Sequence, residues 1–196
     1  MNERLDTVDV AMGFDANYAP HAAGVVASVV ALAPGTKFRF IILHDAIGDD
    51  LKREIERCAP KAVWVWTEVK ESDLPPFADR QYFNRTTLFR LGLEKLAPAD
   101  CRRVVYLDSD IALLRDVRDL YNVDLQGQTV GAAVDAYLDP EAFAKRWDLE
   151  PGGAYMNAGA LLVDLEALKN GVNRIMRLRM WLRWLRRGPA QTSKVQ

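Results

Sequence analysis

Cysteine is nearly absent from this chain. Of its 196 residues only Cys58 and Cys101 are cysteines, far apart and outside any CxxC or Cys/His spacing. That excludes a disulfide framework and a zinc cluster, and leaves the reduced thiols of a cytosolic protein. An excess of one charge is missing too: 26 basic residues face 27 acidic ones, for a formal net charge of -1. With no RNA- or DNA-binding signature beside that balance, nucleic acid is excluded as a partner. Long apolar runs are lacking: the longest near-apolar stretch, residues 22–33, falls well short of the roughly 20 residues that cross a bilayer. The N-terminal "MNERLDTVDV" carries acids where a signal peptide needs an apolar core. No internal repeat or low-complexity stretch occurs. These absences predict a soluble cytoplasmic protein, attached to a membrane at most peripherally.

What is present is core-forming material, with 49% hydrophobic residues in a chain long enough for one domain. Apolar, β-branched runs alternate with segments of helical period, which predicts an α/β fold with a mainly parallel sheet flanked by helices. Strands are expected over 8–14, 37–45 and 62–69, with helices over 21–34 and 48–59 between them, Asp49 or Asp50 serving as N-cap of the second. The Pro-interrupted stretch 74–84 reads as a loop, and 85–97 returns to helical spacing through Leu88, Leu91 and Leu96. A strand then runs into "RVVYLDSD", another covers 129–135, and 158–168 starts as a strand and passes into a helix. Residues 173–187, "NRIMRLRMWLRWLRR", hold six arginines among large apolar residues. On a helical wheel Ile175, Leu178, Trp181, Leu182 and Leu185 separate from Arg179, Arg183, Arg186 and Arg187.

The chemistry-bearing feature is the pair Asp108 and Asp110 at the end of an apolar run. Side chains two apart on an extended segment point the same way, so both carboxylates can meet one hard cation, Mg²⁺ or Mn²⁺. In open α/β sheets the ligand crevice lies beyond the carboxyl ends of the strands, where this pair falls. An equally open alternative has Asp108 capping a turn and Asp110 solvated in a loop. Polar residues recur at other strand ends: Asp15 and Asn17 in "GFDANYAP", Asp135 in "AAVDAY", and Asn157 in "YMNAGALLVD". Each alone is also a common turn residue.

The ordered set "F-x-x-NYA", "T-x-x-R-L", "YLD-x-D", "VD" and "NAG-x-LL-x-D-L", spread over about residues 8–170, resembles family 8 of the glycosyltransferases, which includes bacterial lipooligosaccharide galactosyltransferases. Its most specific parts are "VVYLDSDIAL" and "MNAGALLVDL". The resemblance implies a GT-A fold over 1–170, with a basic amphipathic helix and tail over 171–196. It also implies transfer of a hexose from a UDP-sugar with retention of configuration, dependent on Mn²⁺ or Mg²⁺. Asp108 and Asp110 are then the metal-binding pair, with Asp108 and Ser109 at the donor. Gly13, Asp15, Asn17 and Tyr18 match the uridine contacts, Tyr18 stacking on uracil. Arg90 matches an arginine near the donor phosphate and sugar, and Asp135, Asn157 and Ala158 match contacts to the hexose. The implied acceptor is a saccharide or lipid-linked glycan, such as lipopolysaccharide.

Two elements of that family, "DQD-x-LN" and "H-x-x-G-x-x-K-P-W", are absent from these 196 residues. The expectation is a donor domain truncated before them, for which nucleotide-sugar binding without transfer is the alternative to activity. His21 and His44 are expected to be structural or surface residues, not substitutes for the family's metal-binding histidine. The tail is expected to be an ordinary surface helix or a basic face on an anionic membrane. A haloacid-dehalogenase-type phosphatase also carries a DxD after a strand. Its pattern, however, wants Thr or Val where this chain has Ala112.

Overall fold

The computed structural model of the chain describes residues 7–74, 85–147, 152 and 155–170. Six strands form one sheet: β1 (Thr7–Asp15), β2 (Lys37–Asp45), β3 (Val63–Glu68), β4 (Arg103–Leu107), β5 (Val130–Val134) and β6 (Met156–Asp164). Their order across the sheet is β3-β2-β1-β4-β6-β5. The first four are parallel, and β6 runs antiparallel between β4 and β5. The expected mainly parallel α/β sheet is therefore present, with one reversed strand.

The central strands are apolar on both faces because both faces are covered. On one face Val10, Met12 and Phe14 of β1, Phe38, Phe40 and Ile42 of β2, and Val105 and Leu107 of β4 pack beneath helix α1 (Ala19–Leu32). Helix α2 (Asp49–Glu56) adds Ile55, and α4 (Val117–Tyr121), capped by the Asp116 carboxylate, adds Val117. On the other face Ala11, Ile41, Leu43, Val104 and Tyr106 meet a 3-10 helix over Arg85–Gly92. Leu93 of α3 (Leu93–Leu96) and Leu165 and Leu168 of α6 (Leu165–Lys169) complete that layer. A further helix, α5 (Pro140–Trp147), follows β5.

Several boundaries differ from the sequence expectation. Helix α1 begins at Ala19, so Pro20 sits in its first turn, where the missing N–H has no partner to lose. The N-cap of α2 is Gly48, which places Asp49 and Asp50 inside the first turn, where their charge suits the helix dipole. The stretch 85–97 is mostly 3-10 rather than α. A three-residue repeat stacks Phe89 over Gly92 on the buried side and leaves Thr87 in line with Arg90. Helices α4 and α5 were not expected. The stretch from residue 75 to 84 and the arginine-rich segment 173–187 lie outside the described residues.

One end of the sheet is braced by ions. The nearly buried Asp9 accepts a two-pronged pair from Arg39, at 2.6 Å from Nε and 2.8 Å from Nη2. Arg39 also donates to both oxygens of Asp100 at 3.0 Å. The guanidinium is thereby held more firmly protonated than usual, chiefly by its hydrogen bond to Asp9. Buried Cys101 nearby has its thiol pushed up to about 12 by desolvation, which makes it inert.

Candidate active site

The chain goes from β1 outward to β2 and β3, then returns to place β4 on the other side of β1. Such a reversal leaves a crevice beyond the carboxyl ends of the two strands. Here β1 and β4 pair only at Val10 with Val105 and Ala11 with Tyr106, whereas β1 and β2 pair over nine positions. Beyond Ala11 the strands part, and a cleft of about 120 Å³ opens, lined by Gly13, Phe14, Tyr18, Thr86, Thr87, Arg90, Asp108, Ser109 and Asp110.

Asp108 and Asp110 do not stand on the strand, as the sequence suggested. Strand β4 ends at Leu107 and the pair occupies the turn beyond it. Asp108 is fixed at several points. Its N–H donates to the Gly159 carbonyl at 2.7 Å, continuing the β4–β6 ladder by one step. Its Oδ1 accepts from Arg90 Nη2 at 2.8 Å and from the Tyr106 hydroxyl at 3.1 Å. Tyr106 is fully buried, and burial holds its phenol well above the ordinary range.

Arg90 is held on all sides. Its Nε donates to the Thr87 carbonyl at 2.9 Å, Nη1 donates to the Ala158 carbonyl, and its guanidinium lies 5.0 Å over the Tyr106 ring. Only 13% of the side chain is exposed. The 3-10 segment that presents it is anchored by Phe89, whose burial contributes roughly 2 kcal/mol. Arg85 anchors it as well, donating to the Val69 carbonyl and pairing with Asp45 at the end of β2.

Strand β6 brings in its residues through an irregularity. Ala132 pairs with Leu161 but Val134 pairs with Met156, so three extra residues of β6 bulge at 157–159. Asn157 stands near the start of β6, not at a strand's far end. The strand's reversed direction brings it to the same edge. A Cβ built on Gly159 would lie 3.1 Å from Asn157 Oδ1 and 3.2 Å from Asp108 Oδ2. Glycine is what leaves that space open between the two side chains.

The other sequence-derived candidates are placed as follows. Gly13 borders the cleft where a Cβ would meet Phe89 Cβ at 3.1 Å and the Tyr106 hydroxyl at 3.2 Å. Tyr18 lines it with 40% of its surface exposed, next to the exposed His21 ring at 5.6 Å. Asp15 spends its carboxylate on the N–H groups of Asn17 and Tyr18, shaping the turn into α1. Neither Asp15 nor Asn17 borders the cleft. Asp135, just beyond β5, accepts from the Tyr137 N–H at 3.0 Å and also stands outside the cleft lining. His44 is buried against Trp66 and accepts from the Ile47 N–H at 3.3 Å, a structural role as expected. Thr86, Thr87, Phe14, Tyr106 and Gly159 were not singled out from sequence. Phe14, Thr87, Tyr106 and Gly159 nonetheless stand inside the quoted "F-x-x-NYA", "T-x-x-R-L", "YLD-x-D" and "NAG-x-LL-x-D-L" patterns.

Among the described residues no three His, Cys, Asp or Glu side chains converge on a metal position. The available donor set is Asp108 and Asp110. Among the described residues Asp108 Oδ2 accepts no hydrogen bond, and Asp110 has neither a hydrogen bond nor an ion pair. Hard oxygens without partners beside open space fit a divalent cation that draws its remaining ligands from a phosphate or water.

The chain is similar to known proteins in both sequence and structure. A putative glycosyltransferase of Haemophilus influenzae is 30% identical over 168 residues, 83% of this chain and 50% of that protein. The lipopolysaccharide 1,2-glucosyltransferase of Escherichia coli is 26% identical over 164 residues, 82% of this chain and 48% of that protein. The chain thus spans about half the length of the curated relatives it matches. In structure it is similar to the galactosyltransferase LgtC. An active-site mutant of LgtC superposes with a TM-score of 0.77 at 24% identity, covering 94% of this chain and 66% of that one. The complex of LgtC with donor and acceptor sugar analogs gives 0.74 at 24%, covering 91% and 65%. The fold is GT-A-like, and the model of Glycosyl transferase family 8 matches residues 9–187: the chain belongs to that family.

Proposed function

We propose that this chain forms the donor-binding domain of a retaining hexosyltransferase that takes UDP-hexose with Mn²⁺ and delivers the sugar to a saccharide acceptor, lipopolysaccharide or another cell-surface glycan. The observation that carries the reading is the meeting of Arg90 and Asp108 where β1 and β4 part. In a chain of this family, that crevice is where a nucleotide would lie. Family membership also favours this reading over the haloacid-dehalogenase alternative.

The chemistry follows from charge. As the anomeric C–O bond breaks, the diphosphate leaving group gains negative charge, and groups aimed at it in a partly dry cleft stabilise that charge. Asp108 and Asp110 would hold a divalent ion whose charge offsets that of the diphosphate. Arg90, a fixed cation beside them, would add to the same effect. Gly13 lets the donor approach the strand end, Tyr18 offers a ring to the uracil, and Ser109 stands beside the phosphates. Asn157 and Ala158 on the bulge, with Asp135 beyond it, would border the hexose. The E. coli relative's name supports a lipopolysaccharide-type acceptor, and the six arginines of 173–187 would suit the anionic inner surface of a membrane.

Calorimetric titration tests the donor half of this reading. UDP is expected to bind when Mn²⁺ is present. Asp108→Ala combined with Asp110→Ala is expected to weaken it beyond the roughly 10- to 100-fold that loss of a ligand's supporting partner costs. No heat of binding with Mn²⁺, or an unchanged isotherm for the double variant, would contradict it.

A further inference from the structure

We propose that Tyr106 is a positioning residue for the cation: its buried hydroxyl locks the Asp108 carboxylate so that Oδ1 is spent inside the protein and Oδ2 alone faces the donor site. The inference rests on the donor-site reading above.

The ring of Tyr106 lies wholly within the core layer formed by Ala11, Ile41, Phe89 and Leu93. For packing alone phenylalanine would serve, since burying a hydroxyl is costly unless a partner compensates. The partner is Asp108 Oδ1 at 3.1 Å. An ionised carboxylate only accepts, so the phenol is the donor. Room for the hydroxyl comes from β1: a side chain at Gly13 would put its Cβ 3.2 Å from that oxygen. The adjacent strand thus forgoes a Cβ at the point where the hydroxyl needs space.

Arg90 completes the lock. It donates to the same Oδ1 at 2.8 Å while its guanidinium lies over the phenol ring. Two donors from different elements converge on one oxygen, and turning the carboxylate would break both bonds. The other oxygen stays on the Gly159 side, where the missing Cβ keeps its approach open. Asp108 is therefore built to offer a cation one oxygen rather than two, and Tyr106 sets which one.

The test measures Mn²⁺ affinity of the full chain in the presence of saturating UDP, by Mn²⁺ electron paramagnetic resonance, for wild type, Tyr106→Phe, Asp108→Asn and the combined variant. Removing one hydrogen bond to a charged group is expected to lower Mn²⁺ affinity roughly five-fold or more in Tyr106→Phe. In the Asp108→Asn background the same change is expected to have no further effect. A purely structural role would lower affinity equally in both backgrounds. Equal Mn²⁺ affinity of wild type and Tyr106→Phe, or a full loss on top of Asp108→Asn, overturns the proposal while leaving the donor site standing. Absence of Mn²⁺ binding by the wild type overturns both. If Tyr106→Phe does not fold, p-aminophenylalanine and p-fluorophenylalanine at position 106 make the comparison. The amine, which keeps a donor, should bind Mn²⁺ more tightly than the fluoride, and equal affinities count against the proposal.

Discussion

At the scale of single residues, the site depends on what Gly159 leaves out. A Cβ there would press on Asp108 Oδ2 and Asn157 Oδ1 at 3.2 and 3.1 Å, and either side chain would yield only against its hydrogen bonds. Asp108 is held by Arg90 and Tyr106, and Asn157 Oδ1 accepts from the Gly159 N–H itself at 2.9 Å. Gly159→Ala should therefore shift the Asp108 carboxylate by a few tenths of an ångström. Its expected effect is about a tenfold loss of Mn²⁺-dependent UDP affinity, since small misplacements at a reacting site are costly. Calorimetry of the variant checks this, with a thermal melt close to that of wild type as control. The sequence showed Asp108 and Asp110 as a pair equally suited to a turn or a cation site. It could not show that one aspartate is locked while the other has no partner among the described residues, because the locking groups come from positions 90 and 106 on different elements. Nor could it show that Asp15 would use its carboxylate on its own turn.

Among the elements, the strands were the most legible, because their apolar runs are nearly continuous. The expected 37–45 coincides with β2, and the expected 8–14 and 62–69 lie within one residue of β1 and β3. The segment 85–97 was legible as helical but not as 3-10, since spacings of three and four are mixed in it and Arg85 tethers its start to β2 and Val69. The bulge of β6 was invisible in the sequence, as it arises only from register with β5. The end of β2 carries a pH dependence. His44 is buried there beside Trp66, and its pKa is lowered from the ordinary 6.5, first by desolvation and then by Lys52 of α2, against weaker opposite pulls from Glu68 and Asp45. The unfolded chain thus binds a proton that the folded chain resists. Stability is fully present above the unfolded pKa and falls as pH drops through the window beneath it. The urea midpoint of the wild type should fall more between about pH 7 and about pH 5 than that of His44→Gln, in which this source of proton linkage is removed. Parallel slopes for the two would show that His44 does not contribute.

For the molecule as a whole, the sheet divides its work between its ends. Where β1 and β2 begin, Arg39 joins Asp9 to Asp100 and ties the sheet together. Where β1 and β4 end, polar groups are gathered around open space, and among the described residues Asp110 and the Oδ2 of Asp108 have no hydrogen-bond partner. The reversal of strand order between β1 and β4 explains why the opening falls there. The sequence implied the α/β class through alternation, but that reversal became visible only once the strands were paired. No helix among the described residues is long and apolar enough to cross a membrane.

Paramagnetic broadening by Mn²⁺ tests the placement of the donor site most directly. With UDP present, substoichiometric Mn²⁺ should broaden the amide resonances of Gly13, Ser109, Asp110 and Gly159 first, and leave those of Asp9, Arg39 and Asp100 at the opposite edge sharp. Broadening centred elsewhere, or spread evenly over the acidic surface, would contradict the account.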